Sequence, residues 1–192
     1  MRIVAGRAKG ITLSHDVADK TRPTSDRVRE SIFNMLEARI DFDGCTVADL
    51  YAGTGALGLE ALSRGANAVT FVERDKKACE IITKNIDRVV NHIQQDEKTK
   101  MTTSCVQGDV KRFVSTRAQE QSCDLVFCDP PYDNDIDASV INILVPQGLL
   151  VYETDKRKLA EAEKDLSTHD RCDEILISRE MGSAGVIILR VK

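Results

Sequence analysis

No apolar run in this chain approaches the ~20 residues that a membrane-spanning helix requires, so a transmembrane protein is excluded. The first residues, MRIVAGRAKG, lack the apolar stretch of a secretory signal. The six cysteines (45, 79, 105, 123, 128 and 172) contain no C-x-x-C pair, which removes the usual zinc spacing. Several sit in apolar contexts where a free thiol acts as a small hydrophobe, so a reducing cytoplasm and no metal are expected. Neither an internal repeat nor a linker interrupts the 192 residues, a length that suits one domain with a full core. His15, His92 and His169 share no setting and are assigned no catalytic work. An overall excess of positive charge is also missing: the net charge is −4, which at first argues against nucleic acid. Its distribution says more. Residues 1–29 hold seven Lys or Arg against three Asp, a local +4 that leaves −8 for the remainder. This is a basic arm on an acidic body.

What the chain does have is a dense motif at residues 46–75, TVADLYAGTGALGLEALSRGANAVTFVERD. Thr46 to Tyr51 reads as a short buried strand. Gly53, Gly55 and Gly58 then form a loop that can take positive φ and let a ligand approach the backbone. Ala56 to Arg64 reads as a helix stopped by Gly65. The apolar run Ala68 to Val72 ends on Glu73, 18 residues after Gly55, where a carboxylate can accept hydrogen bonds from ribose hydroxyls. The unit is a nucleoside-binding βαβ. Gly53-Thr54-Gly55-Ala56-Leu57-Gly58 satisfies G-x-G-x-x-G, which keeps a nicotinamide dehydrogenase open. Asp49 weighs against it. A carboxylate there would repel a pyrophosphate on the helix N-terminus, whereas a cofactor with a cationic amino-acid end would welcome it.

Along the rest of the chain, Met1 to Leu13 suggests a β-hairpin about a Gly6 to Gly10 turn. Thr24 is a fair N-cap for a helix over Ser25 to Arg39 with Val28, Ile32, Met35 and Leu36 on one face. Lys76 to Ile93 is a helix, Gln94 to Lys100 a polar loop, and Thr102 to Val106 a strand ending in Gly108-Asp109. Asp109 then falls at a strand's carboxyl end, able to accept from an adenine amine. Cys123 to Cys128 is a strand that runs into Asp129-Pro130-Pro131-Tyr132. The prolines remove two backbone donors and stiffen the chain. Asp129 and the Pro130 carbonyl can accept hydrogens from an exocyclic amine, and Tyr132 offers a face for a flipped base. A helix over Ile136 to Val145, a strand over Gly148 to Glu153 and a charged helix over Lys156 to Leu166 follow. Strands Glu174 to Ser178 and Gly185 to Arg190 close the chain about a Met181-Gly182-Ser183 turn.

With these pieces placed, the chain resembles the bacterial 16S rRNA guanine-N2 methyltransferases, a family that uses S-adenosyl-L-methionine. The resemblance is carried by Met1-Arg2-Ile3-Val4-Ala5-Gly6, by Arg22-Pro23-Thr24-Ser25-Asp26-Arg27-Val28-Arg29-Glu30, by Phe33-Asn34-Met35-Leu36, by residues 49–66, and by Asp129 to Tyr132. It implies a Rossmann-like α/β fold: a seven-stranded, mostly parallel sheet with one antiparallel strand over residues 40–192, and an RNA-facing hairpin and helix over residues 1–39. It implies a cofactor site of Asp49, Tyr51, Gly53, Thr54, Gly55, Glu73, Arg74, Asp109 and Val110. The catalytic set is Asp129, Pro130, Pro131 and Tyr132, and the RNA-binding set is Arg2, Arg7, Lys9, Arg22, Thr24, Arg27 and Arg29. The implied partner is 16S rRNA or the small ribosomal subunit, the compartment cytoplasmic, the state a monomer. The chain departs from the family pattern at Ile11, where Arg is usual, at Ser14-His15-Asp16, which lacks a proline, and at Met181 to Ala184, where Tyr-Gly-x-Thr is favoured. D-P-P-Y also serves adenine N6 methylation, so that substrate stays open beside guanine N2.

Overall fold

Four parallel strands carry the site, and their order follows from how the chain crosses between them. The computed structural model describes residues 1–15, 26–94, 101–131 and 137–192. Its elements are α1 (Asp26–Glu37), β1 (Thr46–Leu50), α2 (Ala56–Arg64), β2 (Ala68–Glu73), α3 (Lys76–Gln94), β3 (Thr102–Gln107), α4 (Val110–Arg117) and β4 (Cys123–Cys128). After them come β5 (Leu144–Asp155), α5 (Leu159–Ser167), β6 (Cys172–Met181) and β7 (Ala184–Val191). The strands form one seven-stranded sheet in the order β3-β2-β1-β4-β5-β7-β6. β1 pairs in parallel with both β2 and β4, while β7 runs antiparallel to β5 and β6. The single reversal has a local cause: β6 and β7 are joined by a tight turn in which Gly182 takes φ 69, and a hairpin can only pair antiparallel. The expected sheet is therefore the observed one.

Two apolar layers cover the sheet. On one face Leu59, Leu62, Ile82, Ile86 and Val89 of α2 and α3 pack on Val47, Val69, Phe71 and Phe127. On the other, Val110 and Val114 of α4 and Ala162 and Leu166 of α5 pack on Ala48, Leu50, Val126 and Leu150. The β1 segment is buried at four consecutive positions because helices lie on both faces. Among the described residues no helix is long and apolar enough to cross a membrane.

The expected helix over Ile136 to Val145 is instead a 3₁₀ segment, Ala138–Ile143, that passes directly into β5. Val140, Ile141 and Ile143 are β-branched and Pro146 cannot continue a helix, so the run tightens and then extends. β5 begins at Leu144, earlier than Gly148, with a register shift against β4 and Gln147 at φ 64 marking the irregularity. The charged helix expected from Lys156 begins with a 3₁₀ turn, Lys156–Lys158, before α5. α4 had no expected counterpart, although Asp109 and the Val110/Val114 pair are its signals: the Asp109 side chain caps it by accepting from Arg112 N at 3.1 Å. α1 buries Ile32, Phe33 and Leu36 as its inner face, with Val28 and Met35 at the margin. Its proposed cap, Thr24, lies outside the described residues.

The first 14 residues are sewn onto α2 and α3. Arg2 and Thr12 form one antiparallel bridge, with Ile3 N donating to Ile11 O at 2.9 Å, so the hairpin exists as a tight loop without regular strands. Ile3, Ala8 and Leu13 are buried. Glu60 Oε2 and Oε1 accept from Val4 N and Ala5 N at 2.8 and 2.9 Å. Ser63 Oγ accepts from Ala8 N and donates to Ala5 O. Asn85, fully buried, exchanges hydrogen bonds with the Ser14 backbone and donates to Thr54 O at 3.1 Å. Gly6 is required here: it holds φ +80, and a Cβ would stand 2.1 Å from the Ser63 carbonyl oxygen.

Candidate active site

β1 and β4 are neighbours in the sheet, yet the chain leaves β1 toward β2 on one side and reaches β4 only later. The sheet order thus reverses at β1, and in open α/β sheets ligands bind at such a switch point, here beyond the carboxyl ends of β1, β2 and β4. Each described residue expected to bind the cofactor or react stands at one of these ends or at that of the adjoining β3.

The glycine loop occupies the first. Tyr51 leaves β1 at φ 59, a conformation that costs a non-glycine residue, and Gly53 and Gly55 follow at φ 56 and 78. At Gly55 a Cβ would approach the Phe71 ring at 3.2 Å, while at Gly53 only Tyr51 O lies within reach, at 4.0 Å. The loop is therefore tight against the sheet on one side and open at Gly53. Gly58 lets α2 lie close on β2, since its absent Cβ would meet Phe71 Cε1 at 2.5 Å.

Three carboxylates surround that loop, each held differently. Glu73, half-buried at the end of β2, accepts from Gly53 N through Oε2 and from Asp75 N through Oε1, both at 2.9 Å. The loop and the strand tip are thereby locked to each other. Asp49 is 2% exposed and its Oδ2 accepts from Gly58 N at 2.8 Å, so it braces the start of α2 from beneath. Burial pushes its pKa up to about 8, with the charges of Asp129 and Glu73 adding and the Gly58 hydrogen bond opposing. Asp109, exposed at the end of β3, caps α4, and Val110 behind it is buried. The Gly108 amide donates to Glu73 O at 2.9 Å, which ties the two strand ends together. Arg74 is exposed beside them. The Tyr51 phenol is pushed up to about 12 by burial, then by Cys128, Asp137 and Asp109.

On the β4 side, Asp129 is half-buried, Pro130 buried and Pro131 exposed. Asp129 N reaches Leu50 O at 3.5 Å, which carries the β1–β4 pairing one step beyond the strands. Tyr132 lies outside the described residues. Sequence reasoning missed Glu153, 3% exposed within β5, one position beyond the Cys128–Tyr152 pair and so level with Asp129. Its signal was only that of a carboxylate closing an apolar strand.

The basic set divides. Arg2, Lys9 and Arg27 are exposed. Arg7 is half-buried and approaches Asp43 at 3.7 Å. Arg22 and Thr24 lie outside the described residues. Arg29 corrects the expectation of an RNA-facing side chain: it is fully buried, with Nη2 donating to Arg2 O and to Asp26 Oδ1 and Nε 3.7 Å from Glu60. A cation with no solvent access cannot reach a phosphate. It instead neutralises Glu60, which also receives Arg64 Nε at 3.0 Å, while Arg64 pairs with Glu37 and lies 4.7 Å over the Phe33 ring. Sequence reasoning took Glu60 and Arg64 for ordinary helix formers. Only the packing shows that they hold α1 and the arm to α2.

The chain as a whole is similar to known proteins. Over 164 residues the chain is 34% identical to the ribosomal RNA small subunit methyltransferase D of Haemophilus influenzae, covering 82% of this chain and 80% of that protein. It is 32% identical over 168 residues to the Escherichia coli K12 protein of the same name, covering 88% and 78%. A solved structure of a hypothetical protein from Thermus thermophilus matches with a TM-score of 0.74 at 26% identity, covering 100% of this chain and 99% of that one. The family described as conserved hypothetical protein 95 matches residues 1–188. The chain belongs to this family, the one that holds the ribosomal RNA small subunit methyltransferases D.

Proposed function

We propose that this protein transfers a methyl group from S-adenosyl-L-methionine to the exocyclic N2 amine of a guanine in 16S rRNA. The observation that carries this is the gathering of Glu73, the Gly53–Gly55 loop and Asp129–Pro131 at the carboxyl ends of adjacent parallel strands. The groups present fit the cofactor. An open backbone at Gly53 beside a locked Glu73 suits a ribose; the exposed Asp109 suits an adenine amine; and the buried Asp49 gains a favourable partner when a cationic amino-acid end lies over it. When bound, the cofactor supplies a methyl group made electrophilic by its sulfonium.

The protein's own residues supply position and polarity. A guanine N2 lone pair is delocalised into the ring, so it attacks poorly until its hydrogens are held. Asp129 and the Pro130 carbonyl accept those hydrogens and favour a more tetrahedral nitrogen. Proline at 130 and 131 fixes φ, so the two acceptors keep their spacing. Pro130 is also buried, which excludes water from one side of the amine. The proton leaves to Asp129 or to solvent. Most of the acceleration is orientational, with electrostatic stabilisation second. Incubation with tritiated S-adenosyl-L-methionine and undermethylated 30S subunits, followed by nucleoside mapping, tests this. Label in N2-methylguanosine is expected. Label in N6-methyladenosine would reassign the substrate, and no RNA label at all would remove the proposed function.

A further inference from the structure

We infer that the protein has an RNA-backbone contact surface formed by the first turns of α3 and α4. This rests on rRNA being the substrate. α3 and α4 leave β2 and β3 directly, and Glu73 and Gln107 at those strand ends are paired, so both helix N-termini stand on the same rim. They lie on opposite faces of the sheet, α3 with the Phe71 layer and α4 with the Val126 layer, and so straddle the strand tips. The rim continues that of the proposed cofactor site through Glu73 and the Gly108 amide.

The residues there run against helix electrostatics. A helix N-terminus carries partial positive charge, and acidic side chains are favoured in its first turn. α3 opens with Lys76 and Lys77, and α4 has Lys111 and Arg112 directly after Val110; neither has an acidic residue in its first turn. Asp75 and Asp109 cap the two helices and satisfy backbone amides, donated by Ala78 and Arg112. All four cations are exposed, and none joins an ion pair among the described residues. Four exposed cations, set where they oppose two helix dipoles on a chain of net charge −4, gain a favourable environment from a polyanion laid along this rim. A phosphodiester backbone entering the crevice supplies it.

The test is the quadruple variant Lys76→Gln, Lys77→Gln, Lys111→Gln, Arg112→Gln, compared with wild type for binding to 16S rRNA and 30S subunits across a salt series. The expected result is a plot of log Kd against log salt whose slope is smaller by about 2 to 4, each lost phosphate contact removing a little under one. Affinity at 0.1 M salt should fall at least about tenfold. KM for RNA should rise while kcat and the cofactor Kd stay unchanged. Thermal stability should hold or increase, because the substitutions relieve charge at two helix N-termini. An unchanged slope and KM would overturn the inference, and so would a lower melting midpoint, since the cations would then be serving the fold. A wild type that neither binds nor methylates rRNA would instead remove the proposed function, and this surface with it.

Discussion

Replacing Asp49 by asparagine should make the protein's stability less dependent on pH, and the size of the effect follows from where the carboxyl sits. It is 2% exposed, and burial raises its pKa from 3.8 to about 8, with Asp129 and Glu73 adding. Between those values the folded chain holds a proton that the unfolded chain releases. The stability contributed by Asp49 is thus fully present below pH ~4, declines by about 1.4 kcal/mol per pH unit above it, and is lost once the pH passes ~8. From pH 5 to 7 the wild type should lose about 3 kcal/mol more than Asp49→Asn, whose amide oxygen still accepts from Gly58 N. Urea denaturation at pH 5, 6, 7 and 8, with m held common, measures the difference. Parallel curves for the two proteins would refute the reasoning, for they would mean that the Gly58 amide and the α2 N-terminus keep the carboxylate ionised despite its burial. A functional consequence follows. If the cationic end of S-adenosyl-L-methionine lies over Asp49, binding at pH 7 releases a proton, and Kd should weaken by up to about tenfold for each pH unit below 8. Calorimetry in buffers of different ionisation enthalpy detects that proton.

Other outcomes are equally definite. Glu60→Ala removes the partner of buried Arg29 and of the Val4 and Ala5 amides; it should cost about 3–5 kcal/mol by chemical denaturation and expose the arm to limited proteolysis, whereas a loss under about 1 kcal/mol would mean the arm docks by apolar contacts alone. Gly58→Ala drives a methyl to 2.5 Å from Phe71 Cε1 and should cost about 1–3 kcal/mol; a melting midpoint equal to wild type would show that α2 can lift off β2 freely. Asp129→Ala should reduce single-turnover methyl transfer by about 10²–10³-fold and leave cofactor affinity nearly intact, and equal losses in both would make it structural. Glu73→Ala should do the reverse, raising the cofactor Kd, because both its oxygens fix the strand tip and the Gly53 amide.

Local chemistry wrote the βαβ unit into the sequence. α2 spans Ala56–Arg64 as expected because Gly55 and Gly65 bound it at φ 78 and 127, and β1 and β2 stop where Tyr51 and Glu73 meet the loop. The Asp129-Pro130-Pro131 run was legible for the same reason: proline acts on its own neighbours, whatever the rest of the chain does. Short-range competition blurred other boundaries, as at Ala138–Ile143, where β-branched residues before Pro146 tighten into a 3₁₀ segment and pairing with β4 begins only at Leu144. What no local pattern could decide was the fate of each charge. Arg27 and Arg29 lie two residues apart in one basic segment, yet one is exposed and the other fully buried against Glu60, because only the packing of α1 on α2 determines which side of the helix meets water. Asp49, likewise, is an acidic letter before a glycine loop until helices close over both faces of the sheet. Charge in a sequence is a property of a residue; its pKa, partner and reach belong to the surroundings that the tertiary fold brings to it.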